Sequence, residues 1–240
     1  MKPVIIVPCF NHADAFAPVA EKLTKFKTPV IVVDDGSTTK QSIKIKSVCK
    51  KHNFIYVKNK KNGGKGAAMI HGFQYAFENG FTHALQIDAD GQHDVRDVLL
   101  FLKISSRHPD DLIIGNPIYD KSAPKSRLIG RKITRFWVAI ETFNKRMPDT
   151  MCGFRVYPLQ SIIPLLKTIK FKRMGFDIEI IVKAYRNKIH IISVPTRVIY
   201  PNDGVSHFHA FRDNLYISLL HTYLCCLIPV WLAKKCFHKN

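Results

Sequence analysis

Two carboxylates one residue apart, Asp88 and Asp90, stand inside Thr82-His83-Ala84-Leu85-Gln86-Ile87-Asp88-Ala89-Asp90-Gly91-Gln92-His93. The apolar run from Ala84 to Ile87 stops abruptly at them, which reads as a buried strand ending at the rim of a sheet. In open α/β sheets, ligands sit just beyond the carboxyl ends of the strands. There the pair would offer hard oxygen ligands to Mg²⁺ or Mn²⁺, ions commonly held by one or two carboxylates together with substrate phosphates. The plainer reading is a turn, because Asp and Gly favour turns for local reasons. A second carboxylate pair, Asp34-Asp35, precedes Gly36-Ser37 at the end of another apolar run, and Asn62-Gly63-Gly64-Lys65-Gly66 sets a lysine in a glycine-rich stretch. Arg127, Arg131 and Arg135, spaced by four, form a guanidinium column on one helix face. Such a column is either a solvated basic face or an anion site, since Arg matches phosphate oxygens bidentately. Asp149 precedes Met151-Cys152-Gly153-Phe154-Arg155, and Asp177 and Glu179 open a helix, where dipole compensation is the plain reading.

The elements that must position these groups follow a regular alternation. A strand at Val4–Val7 leads through Pro8-Cys9-Phe10-Asn11-His12 to a helix from about Ala13 to Lys25, with Phe16, Val19, Ala20 and Leu23 on one face. A strand at Val30–Val33 is followed by a helix capped by Thr38 or Thr39, then by a strand at Phe54–Val57. The helix after Gly66 halts at Asn79-Gly80, just before the strand that ends in Asp88. This order predicts an α/β fold: a doubly wound, mostly parallel central sheet flanked by helices. Its strand ends face one way, so Asp34, Asp35, Lys65, Asp88 and Asp90 would share one crevice. Further on come a helix over Asp94–Arg107, a strand at Leu112–Gly115 and a helix over roughly Arg127–Arg146. The last carries an apolar stripe of Ile129, Ile133, Phe136, Ile140 and Phe143. Ile189–Val194 and Thr196–Tyr200 read as two short strands around Pro195.

From Leu215 to Ala233 the chain carries no formal charge, and Lys234 and Lys235 follow. The length approaches a membrane span, but His221 and Pro229 fit an interfacial helix better; a buried terminal helix is the third reading. Membrane-surface contact is the expectation. The division expected is a catalytic domain over 1–206 and a helical, membrane-associated segment over 207–240.

Thirty-seven basic residues against eighteen acidic give a net charge of +19 over 240 residues. That balance implies an anionic partner: nucleic acid, an acidic lipid surface or a phosphorylated substrate. Six cysteines without metal-ligand spacing point to a reducing compartment. Met1-Lys2-Pro3 runs straight into a four-residue strand, too short for a signal peptide, so a cytoplasmic start is expected.

Taken together, Val33-Asp34-Asp35-Gly36-Ser37, Asn62-Gly63-Gly64-Lys65-Gly66-Ala67, Asp88-Ala89-Asp90-Gly91-Gln92-His93, Gly153-Phe154-Arg155-Val156-Tyr157 and Gly204-Val205-Ser206 resemble a family-2 glycosyltransferase with the GT-A fold. The resemblance runs from about Val4 to Phe208. Within that family the chain is similar to polyprenyl-phosphate sugar transferases, such as dolichyl-phosphate mannose or glucose synthases and their bacterial counterparts. The resemblance implies an inverting transfer from a nucleotide-diphosphate sugar with a divalent metal, Mg²⁺ or Mn²⁺. Carried onto this chain, Pro8, Asn11, Asp34 and Asp35 would hold base and ribose, with Gly64 and Lys65 near the nucleotide. Asp88 would approach the ribose or metal, while Asp90 and Gln92 would ligate the metal bridging the diphosphate. Such a metal neutralises charge on the departing group.

The acceptor divides the expectations. A lipid phosphate is already an anion; a hydroxyl must lose its proton to a side chain within hydrogen-bond reach. Asp177 is the first candidate base and Asp149 the second. Arg127, Arg131, Arg135, Arg155, Ser206 and His207 are the candidate acceptor or phosphate contacts. Where the lipid-phosphate synthases usually carry Arg-x-x-Gly-x-Ser-Lys, this chain reads Pro201-Asn202-Asp203-Gly204-Val205-Ser206-His207, without either cation. The expected acceptor is membrane-associated, a polyprenyl phosphate or other lipid, on the cytoplasmic face of an anionic membrane. A basic nucleic-acid-binding domain is the competing class, but no recognition module is legible and no nucleic acid is expected. A sugar nucleotidyltransferase would open with a glycine-rich loop after the first strand, unlike Pro8-Cys9-Phe10-Asn11-His12.

Overall fold

The computed structural model describes residues 1–119, 123–199 and 210–237. Strand β1 (Pro3–Cys9) is the hinge of the sheet. Its residues alternate faces: Val4 and Ile6 join one core layer, Ile5 and Val7 the other. The β-branched run of β2 (Val30–Asp34) is buried throughout, as suits a strand covered on both sides. With β3 (Ile55–Lys58) and β4 (His83–Gln86) these strands pair in parallel. The other half holds β5 (Leu112–Tyr119), β6 (Arg155–Pro158) and β7 (Ile191–Val198), giving the order β3-β2-β1-β4-β6-β5-β7. Among the described strands only β6 runs against its neighbours. The mostly parallel expectation therefore holds.

Helices α1 (Ala13–Leu23), α2 (Thr39–Lys51) and α4 (Val98–Arg107) cover one face. The opposite face takes α3 (Lys65–Glu78), α6 (Leu159–Leu166), α7 (Phe176–Arg186) and part of α8 (Ala210–Cys226). Helix α6 was not foreseen. Pro164 hides it, although Leu159, Ile162, Leu165 and Leu166 keep helical spacing and are buried.

Two expectations are corrected by the structure, and a third feature is settled by it. Residues 191–198 form one strand, not two around Pro195; β7 is an edge strand, where a missing N–H need not break a ladder. Strand β5 runs on past Gly115 to Tyr119, because β7 pairs with it along its whole length. The apolar stripe of α5 (Lys125–Thr142) does not face the core: Ile129, Ile133 and Phe136 are exposed, and the buried side chains are Thr134, Val138, Glu141 and Thr142.

The uncharged terminal stretch is helical, broken at Leu227 between α8 and α9 (Ile228–Phe237). Pro229, in the first turn of α9, cannot donate a backbone hydrogen bond. By length and composition Asp213–Cys236 could cross a membrane, with a mean hydropathy of 1.7. Yet Leu220 and Leu224 are fully buried in the core. The expected boundary at 206/207 lies outside the described residues.

Candidate active site

The parallel strands deliver their carboxyl ends to one rim, and the loops beyond them build the site. Past β4 the chain passes Asp88 and turns at Ala89-Asp90 into Gly91, whose φ of 73° is left-handed. Gln92 N donates to Asp90 Oδ1 at 3.0 Å, so the local turn and the carboxylate pair coexist. Opposite, Lys65 opens α3. Its Nζ stands 2.9 Å from both oxygens of Asp88 and 2.8 Å from Asp177 Oδ2. Burial disfavours the Lys65 ammonium, but Asp177 and Asp88 outweigh that and raise its pKa well above the lysine range. Burial likewise opposes charge on Asp88, yet Lys65, helped by His93, holds its carboxyl far below the usual value. Asp90 goes the other way: burial and then the neighbouring Asp88 charge raise it.

The glycine loop before α3 is held by Asp35. Its Oδ2 accepts from Gly64 N at 2.7 Å, and its Oδ1 accepts from Asn59 Nδ2 at 2.6 Å. Gly64 itself has φ +92° and packs against the backbone at Arg173, so only glycine fits there. Asp35 thus shapes one side of the crevice through backbone. Asp34 lies beneath the crevice, fully buried. Ser37 N donates to its Oδ1 at 2.8 Å, while Ser42 Oγ and Tyr56 Oη donate to Oδ2 at 2.5 and 2.7 Å. Asn11, at φ 52°, ties the first loop to the second: Thr38 N donates to its Oδ1 and its own N donates to Ser37 Oγ, each at 2.9 Å. Pro8 is half-buried opposite Val33.

Asp177, from the first turn of α7, points into the site. Besides Lys65 it meets Gln86 Nε2 at 3.3 Å and Arg155 Nη1 at 3.4 Å. Gln86 in turn accepts from Tyr157 Oη at 3.0 Å. Arg155 does not serve as the surface anion contact expected of it. It is fully buried and donates to the carbonyls of Cys152, Thr150 and Asp177 and to Tyr157 Oη, at 2.6 to 3.0 Å. Its guanidinium fastens the loop before β6, bringing Gly153 against Asp88 and Lys65.

The arginine column divides. Arg131 Nη1 is 2.7 Å from Asp149 Oδ2, and its guanidinium stands 5.3 Å from the Tyr119 ring centroid. Asp149 also accepts from Met151 N at 2.8 Å and from Tyr119 Oη at 3.3 Å. Arg135 is exposed and Arg127 half-buried. Ser206 and His207 lie outside the described residues.

Two participants escaped the sequence reading. Gln86 was counted within an apolar run; an amide inside a buried strand was the available signal. His93, without an assigned role, lies 3.8 Å from Asp88 Oδ2 and stacks on Phe154 at 5.5 Å.

Comparison with known proteins agrees with this geometry. The sequence model of the family described as Glycosyl transferase family 2 matches residues 4–162. The UDP-N-acetylglucosamine–dolichyl-phosphate N-acetylglucosaminyltransferase of Methanococcus voltae is 26% identical over 213 residues, covering 82% of this chain and 85% of that one. The dolichyl-phosphate β-glucosyltransferase of Dictyostelium discoideum is 27% identical over 255 residues, covering 96% and 76%. Glucosyl-3-phosphoglycerate synthase of Mycobacterium tuberculosis, solved with Mn²⁺, UDP and glucosyl-3-phosphoglycerate, superposes with a TM-score of 0.67 at 13% identity, covering 93% of this chain and 80% of that one. That likeness assigns the GT-A fold.

Proposed function

The chain belongs to glycosyltransferase family 2, and on that footing we propose that it moves a sugar from a nucleotide-diphosphate donor, with inversion, onto a phosphate-terminated lipid. One observation carries the choice of acceptor: both candidate bases are already engaged. Asp177 is ion-paired to Lys65 and Asp149 to Arg131, at 2.8 and 2.7 Å. A hydroxyl acceptor needs a side-chain base free to take its proton within hydrogen-bond reach; a phosphate brings its own negative oxygen. Relatives named as dolichyl-phosphate transferases support the same reading.

In this reading Pro8, Asn11 and the Gly64–Lys65 loop form the nucleotide side of the crevice. Lys65 holds Asp88 ionised and ties Asp177 in place, and Arg127 and Arg135 face the acceptor phosphate. The catalytic side chains in this reading all come from 1–206, and the helices over 210–237 pack on that core with their exposed side towards the membrane. A divalent cation fits the rim. The paired carboxylates are hard donors, and the Asp88 charge already raises the pKa of Asp90, a repulsion that a cation relieves. Asp90 and Gln92, with Asp88 nearby, would hold the ion. Mg²⁺ and Mn²⁺ fill the remaining positions with water and substrate oxygens, and the ion supplies neutralisation of the departing diphosphate.

The test uses full-length protein, labelled UDP-sugars and paired acceptors: polyprenyl phosphate and the corresponding free alcohol. Label should enter the organic phase with the phosphate alone, and equal transfer to the alcohol overturns the assignment. Asp90→Asn should abolish transfer with little change in melting temperature. Loss of a general base typically costs ~10²–10⁴-fold; Asp177→Asn should cost less than that with the phosphate acceptor.

A further inference from the structure

The solvent-facing stripe of α5 has no use in the reaction. Ile129, Ile133 and Phe136 are 59%, 54% and 62% exposed, on a helix whose sequence is amphipathic enough to have buried them. The terminal helices run beside it. Trp137 stacks on His221 at 6.1 Å, and Phe143 on Trp231 at 6.0 Å. Leu215, Leu219 and Val230 add a further exposed apolar row. Among the described residues, the exposed charges on these helices have one sign. Between 123 and 147 and between 213 and 236 the acids are Glu141 and Asp213, both buried, while Lys132, Arg135, Lys145, Arg146, Lys234 and Lys235 are exposed.

From this we infer that α5, α8 and α9 form a single docking face that lies flat on an anionic bilayer, with α5 as a membrane-contacting helix in its own right. Apolar side chains with tryptophans, rimmed by cations, are the composition of an interfacial helix. The terminal stretch lies on the surface instead of crossing it, because its middle is tied to the domain. His221 Nδ1 is 2.7 Å from Glu141 Oε1, Arg186 Nη2 donates to Leu224 O at 2.8 Å, and Trp231 Nε1 donates to Arg186 O at 3.1 Å. Peeling the helix off to span would leave Glu141 buried without its partner, a costly arrangement. The inference deepens the reading of a lipid acceptor. Its test uses no donor or acceptor, so its failure leaves the transfer reaction untouched.

Both tryptophans of the chain, Trp137 and Trp231, sit on this face. In Trp231→Phe the emission reports α5 alone. Mixed with vesicles of phosphatidylcholine and phosphatidylglycerol carrying brominated acyl chains, full-length Trp231→Phe should be quenched and blue-shifted. The triple variant Ile129→Ser, Ile133→Ser, Phe136→Ser should partition at least about tenfold more weakly in co-sedimentation. The equally exposed pair Ile43→Ser, Leu99→Ser, elsewhere on the surface, should bind like the parent. Neutralising Lys132 and Arg135 to Gln should cost about fivefold each, and only with the anionic lipid. Alkaline carbonate should strip the bound protein. Unquenched Trp137 in protein that co-sediments overturns the inference, as does undiminished binding of the triple variant. Resistance to carbonate refutes the flat orientation. A dimer in light scattering that the triple variant converts to monomer, with vesicle binding unchanged, would make the face a contact between copies instead.

Discussion

Asp34 carries a negative charge without any exposure, and hydrogen bonds make that possible. Burial alone would push its pKa up, but donors from Ser37, Ser42 and Tyr56 outweigh burial and hold it below the usual carboxylate range. A depressed folded-state pKa stabilises the protein fully above the unfolded value, about 3.9, and the gain is lost as pH falls through the folded value. Asp34→Asn should therefore lower the melting temperature at pH 7, with the deficit shrinking as the pH approaches 3. A deficit that stays constant from pH 7 to pH 3 would show that packing, not ionisation, is what Asp34 contributes. The other buried charges are arranged likewise: Lys65 between two carboxylates, and Arg155 among carbonyls. Each is a charge the fold accepts only because its partners are fixed.

At the scale of elements, the loop between α5 and β6 does most to close the site. Gly153 is where it touches the chemistry: an added Cβ would collide with the Asp88 carboxylate and sit 2.8 Å from Lys65 Nζ. Gly153→Ala should cost about 1–3 kcal/mol through overpacking and lower turnover more than its stability loss explains, because it moves the Asp88–Lys65 pair. Gly130, on α5, is the contrast. A Cβ there meets nothing within 4 Å, so Gly130→Ala should stabilise the protein by about 0.5–1 kcal/mol. Urea melts of the two variants read both signs, and an effect of the same sign in both would undo the argument.

Across the whole molecule the terminal helices are not an appendage. Leu220 and Leu224 belong to the main core, and His221 closes on a fully buried Glu141. Truncation after residue 209 removes these side chains and strands Glu141. Breaking a buried pair costs about 3–5 kcal/mol, and at this chain length each kcal/mol shifts the melting temperature by roughly 2–4 °C. The truncated chain should melt roughly 10 °C or more below the full one, or fail to fold. An unchanged melting temperature would mean that the tail is an independent unit. A membrane-release experiment by truncation would therefore confound folding with binding, and surface substitutions on the exposed row are the cleaner probe.

How much of this the sequence by itself determined follows from what is local. Alternating apolar runs of strand and helix period fixed the parallel sheet, because burial on both faces demands them. Carboxylates and glycines at strand ends placed Asp35, Lys65, Asp88 and Asp90 on one rim, since parallel strands all end on the same side. The tertiary structure alone decided the fate of polar groups whose partners are distant in the chain. Gln86 meets Asp177 across 91 residues and His221 meets Glu141 across 80, and no spacing rule encodes such pairs. Arg155 could have faced solvent or a phosphate, and only the carbonyls gathered around it made it part of the scaffold. A helical stripe in α5 announced an apolar face, yet amphipathicity says nothing about what that face meets. The core beneath α5 was already filled by α7 and α8, so the stripe was left outward, and its place beside the terminal helices turned it into a surface.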